Sequence, residues 1–401
     1  MYLRHLHVSN VKLLRDVDIS FVGADGRPRM WTVFVGENRL CKTTLLQTIA
    51  AAACGVDRGT QLVSDVIASW PDLRNPAAPL SVDACFGFSE ERHSRRAYPE
   101  LKRPPELPPK ELRSRLELPP DKRVFLGGSD YGTPSESSDP LTTARSQNLP
   151  DWFVAGYGPS RLLPNIGMVP HLNDPTLDRL RSLFGANLIG TGFIELLGED
   201  LGRAFAKVLR SVFVAGGLLP HVTALELRGR GGIRSSKDLI EAQRFEMDIH
   251  DAEGQSIRVP ARWLSQGYQT LIAWLADVVG QILLEAGEPV DAAEMEGLVL
   301  IDEIDLHLHP TWQLRLIPAL KQVFPKLQFI ATTHSAMVLP ALAAEEVILL
   351  SQDEEGSVVA GPAARSPALL TGSELFDAFF EIHELHPSAL GEKTQRLDHP
   401  A

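Results

Sequence analysis

The chain has 401 residues, 44% hydrophobic and 22% charged, with a formal net charge of −12. It is long and apolar enough for a sizeable buried core, in one large domain or two to three smaller ones, and its acidity excludes the blanket attraction to nucleic acid of a basic protein, though not a local basic groove. No apolar run approaches the roughly 20 residues that span a bilayer, and the opening MYLRHLHVSN lacks an apolar signal core, so a cytoplasmic protein without a membrane segment is expected.

In chain order, the first element is a loose alternation, with Leu3, Val8, Val11, Leu13 and Val17 among polar residues. It predicts one or two strands ahead of the buried strand in WTVFV. The next stretch, FVGENRLCKTTLLQTIA from Phe34 to Ala50, has the outline of a Walker A loop, GxxxxGK(S/T). Such a loop joins a strand to a helix whose first backbone N–H groups cradle phosphates. Gly36 is the first glycine, and Lys42 and Thr43 close the motif. Cys41 stands where the second glycine belongs, and a residue with a side chain held there at positive φ costs roughly 1–2 kcal/mol. KTTLLQTIAAAACG predicts a helix ended by Gly55. At a helix N-terminus beside Lys42, the Cys41 thiol is expected to favour the thiolate and to react ahead of Cys54 and Cys85. Three cysteines without a CxxC pair argue against a disulfide framework or a zinc site.

Between Pro99 and Pro150 the composition shifts, with ten of the 29 prolines, which predicts an irregular insertion. WFVAGYGPSR follows as a buried strand and tight turn, then helical spacing in DRLRSLF and LGRAFAKVLRSVF. A hairpin in RFEMDIHDAEGQSIRVP turns at DAEG. The chain then becomes α/β, with a helix over 264–284, strand LVLI, a helix over 311–324 and strand LQFIAT. The divisions expected are 1–90 with the phosphate loop, 91–150 as the Pro-rich insertion, 151–260 as a helical and hairpin region, 261–350 as a second α/β lobe, and 351–401 as a tail.

The apolar strand GLVLIDEID ends in Asp302 and Glu303, as a Walker B element does, one carboxylate holding Mg²⁺ and the next acting on water. Strand ends of parallel sheets are where ligands collect. In LQFIATTHS a second buried strand delivers His334 as a hydrogen-bond donor to phosphate. Ser265, Gln266 and Gly267 start a helix with free N–H groups, which suits an anion, although a serine there also serves as an ordinary cap. His307 and His309 in DLHLHP, and His383 and His386 in EIHELHP, lack the spacing or further ligands of a metal site and read as surface loops.

The order of these motifs, in HVSNVKLLRDVDISF, VGENRLCKTTLL, LSQGYQTLIAWLAD, LVLIDEIDLHLHPTWQ and FIATTHS, resembles the RecF/SMC-like, ABC-type ATPases, specifically compact bacterial AAA-type ATPases without a coiled coil. The resemblance covers the first 60 residues and 260–350. It implies an α/β P-loop NTPase fold of the ABC-ATPase head type, with a β-rich N-terminal lobe and a helical or irregular insertion. It also implies ATP and Mg²⁺ as cofactors. Gly36, Glu37, Asn38, Arg39, Leu40, Cys41, Lys42, Thr43 and Thr44 would form the nucleotide loop, with Lys42 on the β- and γ-phosphates. Thr43 and Asp302 would serve the Mg²⁺ shell, Glu303 the attacking water and His334 the γ-phosphate. Ser265 and Gly267 would act on the nucleotide of a second subunit, with Asp305 at the seam of a homodimer that sandwiches two ATP molecules. The function implied is an ATP-driven dimeric switch acting with DNA, or with a separate nucleic-acid-acting effector protein, in DNA repair or phage defence. Arg228, Arg230, Arg234 and Lys237 in LRGRGGIRSSK read as a solvated glycine-rich turn or as a DNA contact, with Arg161 a more distant candidate for DNA. The alternatives are a scaffold that barely turns over because of Cys41, and a transporter's nucleotide-binding subunit, which the RecF-like start disfavours. Retention of Glu303 speaks against the scaffold.

Overall fold

A computed structural model of the chain describes residues 1–88, 111–131, 141, 153–161, 174–185, 198–219, 222–227, 245–250, 253–260 and 263–380. Its centre is a six-stranded sheet. In the order β14-β13-β3-β12-β11-β7 it comprises β3 (Trp31–Val35), β7 (Val154–Tyr157), β11 (Gly297–Ile301), β12 (Leu327–Thr332), β13 (Val347–Gln352) and β14 (Val358–Pro362). All neighbours pair parallel except the edge strand β14. Residues of β3, β7, β11 and β12 are buried on both faces, as a covered parallel sheet requires. Val33, Val299 and Ala331 face one core, and Phe34, Leu300 and Ile330 the other.

On the second face lies helix α1 (Lys42–Cys54), buried at every position except Thr43. It is covered in turn by an antiparallel sheet. That sheet runs β2-β1-β4-β5-β6 and comprises β1 (Tyr2–Val11), β2 (Leu14–Ser20), β4 (Leu80–Gly87), β5 (Glu111–Leu118) and β6 (Leu126–Asp130). Ser114 Oγ on β5 donates to the Ala52 carbonyl at 2.7 Å. The expected β-rich start is present, but its sheet does not end at residue 90. Two strands lie inside the stretch expected to be irregular, because β5 alternates strictly between exposed and buried positions and its prolines flank the strand. Likewise β14, in the expected tail, pairs with β13 and extends the central sheet.

The first face is covered by helices α3 (Gly198–Arg210) and α4 (Gln266–Ala286). Among the described residues α4 is the one helix long and apolar enough to cross a membrane, yet 83% of its apolar window is buried. It is the core helix of this face. DRLRSLF forms only single turns, Pro175–Asp178 and Arg181–Leu183. The hairpin is present, as β9 (Phe245–His250) and β10 (Ser256–Pro260), in an antiparallel sheet with β8 (Val222–Leu227). Helices α2 (Val56–Val63), α5 (Pro310–Val323) and α6 (Gly372–Phe380) complete the elements used below. Arg228, Arg230, Arg234, Lys237, His383 and His386 lie outside the described residues.

Candidate nucleotide site

Parallel register brings the site together. Ile301 pairs with Ala331 and Thr332 with Phe34, so the residues just beyond β11, β12 and β3 meet at the carboxyl edge of the sheet, where ligands of such sheets bind.

The loop from Gly36 leads into α1. Gly36 has φ 155, and a Cβ there would meet the Leu350 carbonyl at 2.6 Å, so only glycine fits. Cys41 is the residue before the helix, at φ 59, ψ 23, the left-handed conformation that its replacement of a glycine implied. Arg39 also sits there, at φ 78. No side chain caps α1 at Cys41, which leaves the first N–H groups of the helix free for an anion. Lys42 Nζ donates to the Gly36 and Glu37 carbonyls, at 2.7 Å each. Burial lowers its pKa to about 8, against the pull of Asp302 and Glu303. Glu37, Asn38 and Arg39 are exposed, Leu40 is buried, and buried Thr44 accepts from Lys12 Nζ at 3.0 Å, tying the loop to the β1–β2 turn.

The Cys41 thiol departs from expectation. It is half-buried and packs at the edge of the second core, and burial raises its pKa. A backbone hydrogen bond from Leu13 and the charges of Lys12, Arg74 and Lys42 oppose that shift without cancelling it. The thiol is favoured over the thiolate, since desolvation outweighs the cationic neighbours.

The acidic strand end is held by a chain of hydroxyls. Thr43 Oγ1 donates to Asp302 Oδ2 at 2.7 Å, and Thr332 Oγ1 donates to Asp302 Oδ1 at 2.6 Å while accepting from Glu303 N at 2.7 Å. Thr333 Oγ1 donates to Asp305 Oδ1 at 2.5 Å and accepts from Ser335 N at 2.9 Å. The Thr43 hydroxyl and Asp302 carboxylate are adjacent hard oxygen donors, which suit Mg²⁺. His334 is exposed. The ring is nonetheless partly desolvated, and that, then the charge of Lys42, lowers its pKa and favours the neutral imidazole.

Ser265 and Gly267 stand elsewhere. Ser265 is exposed, and as the N-cap of α4 it makes no side-chain capping bond. Gly267 is buried against the turn after Asp305, where a Cβ would meet the His307 carbonyl at 2.4 Å. Among the described residues, their contacts are with this turn and with α4. His309 caps α5 through Nδ1, which accepts from Thr311 N at 3.4 Å. It is a helix cap, as the surface-loop reading allowed, and among the described residues no group of His, Cys, Asp and Glu could hold a metal on its own.

The sequence reading missed Thr332, Thr333 and the true role of Arg161. The paired threonines of IATTHS were the available signal, being polar residues at the end of an otherwise apolar strand. Arg161 is no surface candidate for DNA. It is 1% exposed and donates to the main-chain carbonyls of Asp302 and Glu303.

Fold and site together are similar to those of SMC/RecF-like, ABC-type AAA ATPases. The family described as "AAA domain, putative AbiEii toxin, Type IV TA system" matches residues 204–339. The chain is 25% identical over 359 residues to a Septu protein PtuA of Bacillus mycoides (strain KBAB4), covering 88% of this chain and 41% of that protein. It is 36% identical over 116 residues to a retron Ec83 probable ATPase of Escherichia coli, covering 29% of this chain and 21% of that one. The chain thus spans less than half the length of these relatives. A solved SMC head bound to the C-winged helix domain of ScpA aligns over 90% of this chain and 98% of its own, at TM-score 0.53 and 17% identity, a likeness of fold.

Proposed function

We propose that the chain binds and hydrolyses ATP with Mg²⁺ as a dimeric switch in phage defence, signalling to a separate effector protein. The observation that carries the ATPase reading is the hydrogen-bonded chain from Thr43 through Asp302 and Thr332 to the Glu303 backbone. It couples the phosphate loop to the acid that would act on water. The relatives named for Septu and retron systems support defence over DNA repair.

In this reading the α1 N-terminus and Lys42 bind the β- and γ-phosphates, and neutral His334 donates to the γ-phosphate. Thr43 and Asp302 would hold Mg²⁺, which supplies positive charge to the phosphate oxygens. Glu303 orients water and accepts its proton. Positioning and charge stabilisation are what phosphoryl transfer needs. Ser265, exposed at the start of α4, would cap the partner subunit's nucleotide, with Asp305 near the seam. The scaffold alternative is weaker, because left-handed strain at Cys41 is a cost of roughly 1–2 kcal/mol, comparable to a single charge-assisted hydrogen bond.

Glu303→Gln removes the carboxylate and keeps the shape. It should cut steady-state hydrolysis to a small residual rate, retain ATP binding and accumulate an ATP-bound dimer on size exclusion with Mg-ATP. A variant that stays monomeric with and without Mg-ATP would refute the sandwich.

A further inference from the structure

We propose that Arg161 is a positioning residue for hydrolysis, its guanidinium gripping the carbonyls of Asp302 and Glu303 and so fixing the backbone that presents the Glu303 carboxylate. The inference rests on the ATPase reading above and goes beyond it by naming the group that sets the geometry of the acid.

The geometry is specific. Glu303 has φ 49, a left-handed conformation that costs a residue with a side chain roughly 1–2 kcal/mol and persists only where its surroundings enforce it. The surroundings are all polar clamps. The Glu303 N–H goes to Thr332 Oγ1, and the Asp302 N–H goes to the Tyr157 carbonyl at 2.8 Å. The two carbonyls are taken by Arg161 Nη1 and Nη2. Nη1 also reaches the Gly158 carbonyl at 3.4 Å, closing the guanidinium over its own turn. A planar fork with donors on separate nitrogens can hold two successive carbonyls at once, which a single ammonium cannot do in the same fixed plane.

The chemistry of burial points the same way. A fully buried guanidinium bound to carbonyls rather than to a carboxylate is costly, and Arg161 Nε has no hydrogen-bond partner among the described residues. What offsets the cost is the field of Asp302, Asp305 and Glu303 around it, against burial that brings its pKa down to about 10. Because Arg161 binds their main chain, its donors do not occupy the carboxylates of Asp302 and Glu303. The charge thus sits behind three like-charged acids at one strand end, at the point where the backbone must bend. A brace for the turn alone would need donors but no charge.

The test uses the full chain and two variants, Arg161→Met, which keeps the volume without donors, and Arg161→Lys, which keeps the charge. For each, steady-state kcat and KM, affinity for a fluorescent ATP analogue and Tm are measured. Loss of a partner that orients a catalytic group typically costs 10–100-fold. Arg161→Met should therefore lose about that factor in kcat with KM and analogue affinity within about threefold, and Arg161→Lys should recover only a small part. In single-turnover assays on the Glu303→Gln background, adding Arg161→Met should slow residual hydrolysis no further. A folded Arg161→Met or Arg161→Lys protein with wild-type kcat overturns the inference while leaving the ATPase reading intact. So does a parallel loss of kcat, nucleotide affinity and Tm, the mark of a structural brace. A wild type that hydrolyses no ATP overturns both.

Discussion

Asp277 on α4 carries a pH dependence that can be worked from the structure. The carboxyl is buried, and its Oδ2 accepts from the Tyr157 hydroxyl at 2.7 Å. Burial raises its pKa from the ordinary 3.8 to about 7, against the hydrogen bonds from Tyr157 and Gln281 and the charge of Arg179. Arg179 does little to hold an ionised Asp277 because it is already matched by Glu285, at 2.5 Å, both side chains being buried. A raised pKa has a definite sign in linkage. The unfolded chain ionises near 4 and the folded one near 7, so the stability owed to the protonated carboxyl is complete below about pH 4, declines through that window and is gone above pH 7. At about 1.4 kcal/mol per pH unit the full loss is about 4 kcal/mol. Asp277→Asn has no proton to lose and can still accept from Tyr157. Thermal unfolding of both proteins from pH 5 to pH 8 should therefore show the Asn variant gaining about 3 kcal/mol on the wild type, a relative Tm gain of roughly 3–4 °C for a chain of this length. Tm curves that run parallel across this range would refute a neutral buried Asp277. ATP turnover should be retained, since among the described residues Asp277 is linked to the site through Tyr157.

Two further outcomes test the loop and the subunit arrangement. Cys41→Gly and Cys41→Ala both remove the thiol and its packing, so their difference reports the left-handed backbone at φ 59. The Gly variant should be more stable by about 1 kcal/mol, being strain relief of roughly 1–2 kcal/mol less glycine's greater chain entropy, and an Ala variant that melts higher would sink the strain argument. Ser265→Arg should abolish turnover while leaving ATP binding to the isolated subunit intact, and mixing it with Lys42→Ala should restore activity through one composite site. Absence of recovery at every mixing ratio would count against action across subunits.

How far the sequence was legible follows from which interactions are local. Four strands of the central sheet, β3, β7, β11 and β12, were readable because burial on both faces leaves unbroken apolar runs such as LVLI and LQFIAT, whereas β13 and β14 were not foreseen. The left-handed residue at 41 was readable because one loop pattern demands it. β5 was hidden. Its alternation is clear in ELRSRLEL, but the flanking prolines carried the composition signal, and whether such a segment pairs depends on β4, which no local pattern names. The thiol of Cys41 was misjudged for a related reason. Helix N-terminus and neighbouring lysine are local facts, whereas desolvation against the second core is a tertiary one, and it dominates. Arg161 is the extreme case. It is separated from Asp302 and Glu303 by 141 and 142 positions, and an arginine after Gly-Pro-Ser looks like a solvated turn. Parallel pairing of Tyr157 with Ile301 turns it into the clamp on the acidic strand end. The residues proposed to bear the reacting charges are thus written in short motifs, while those that hold them in place come from neighbouring strands. Strand order, which sequence spacing does not encode, decides which distant side chain fills that role.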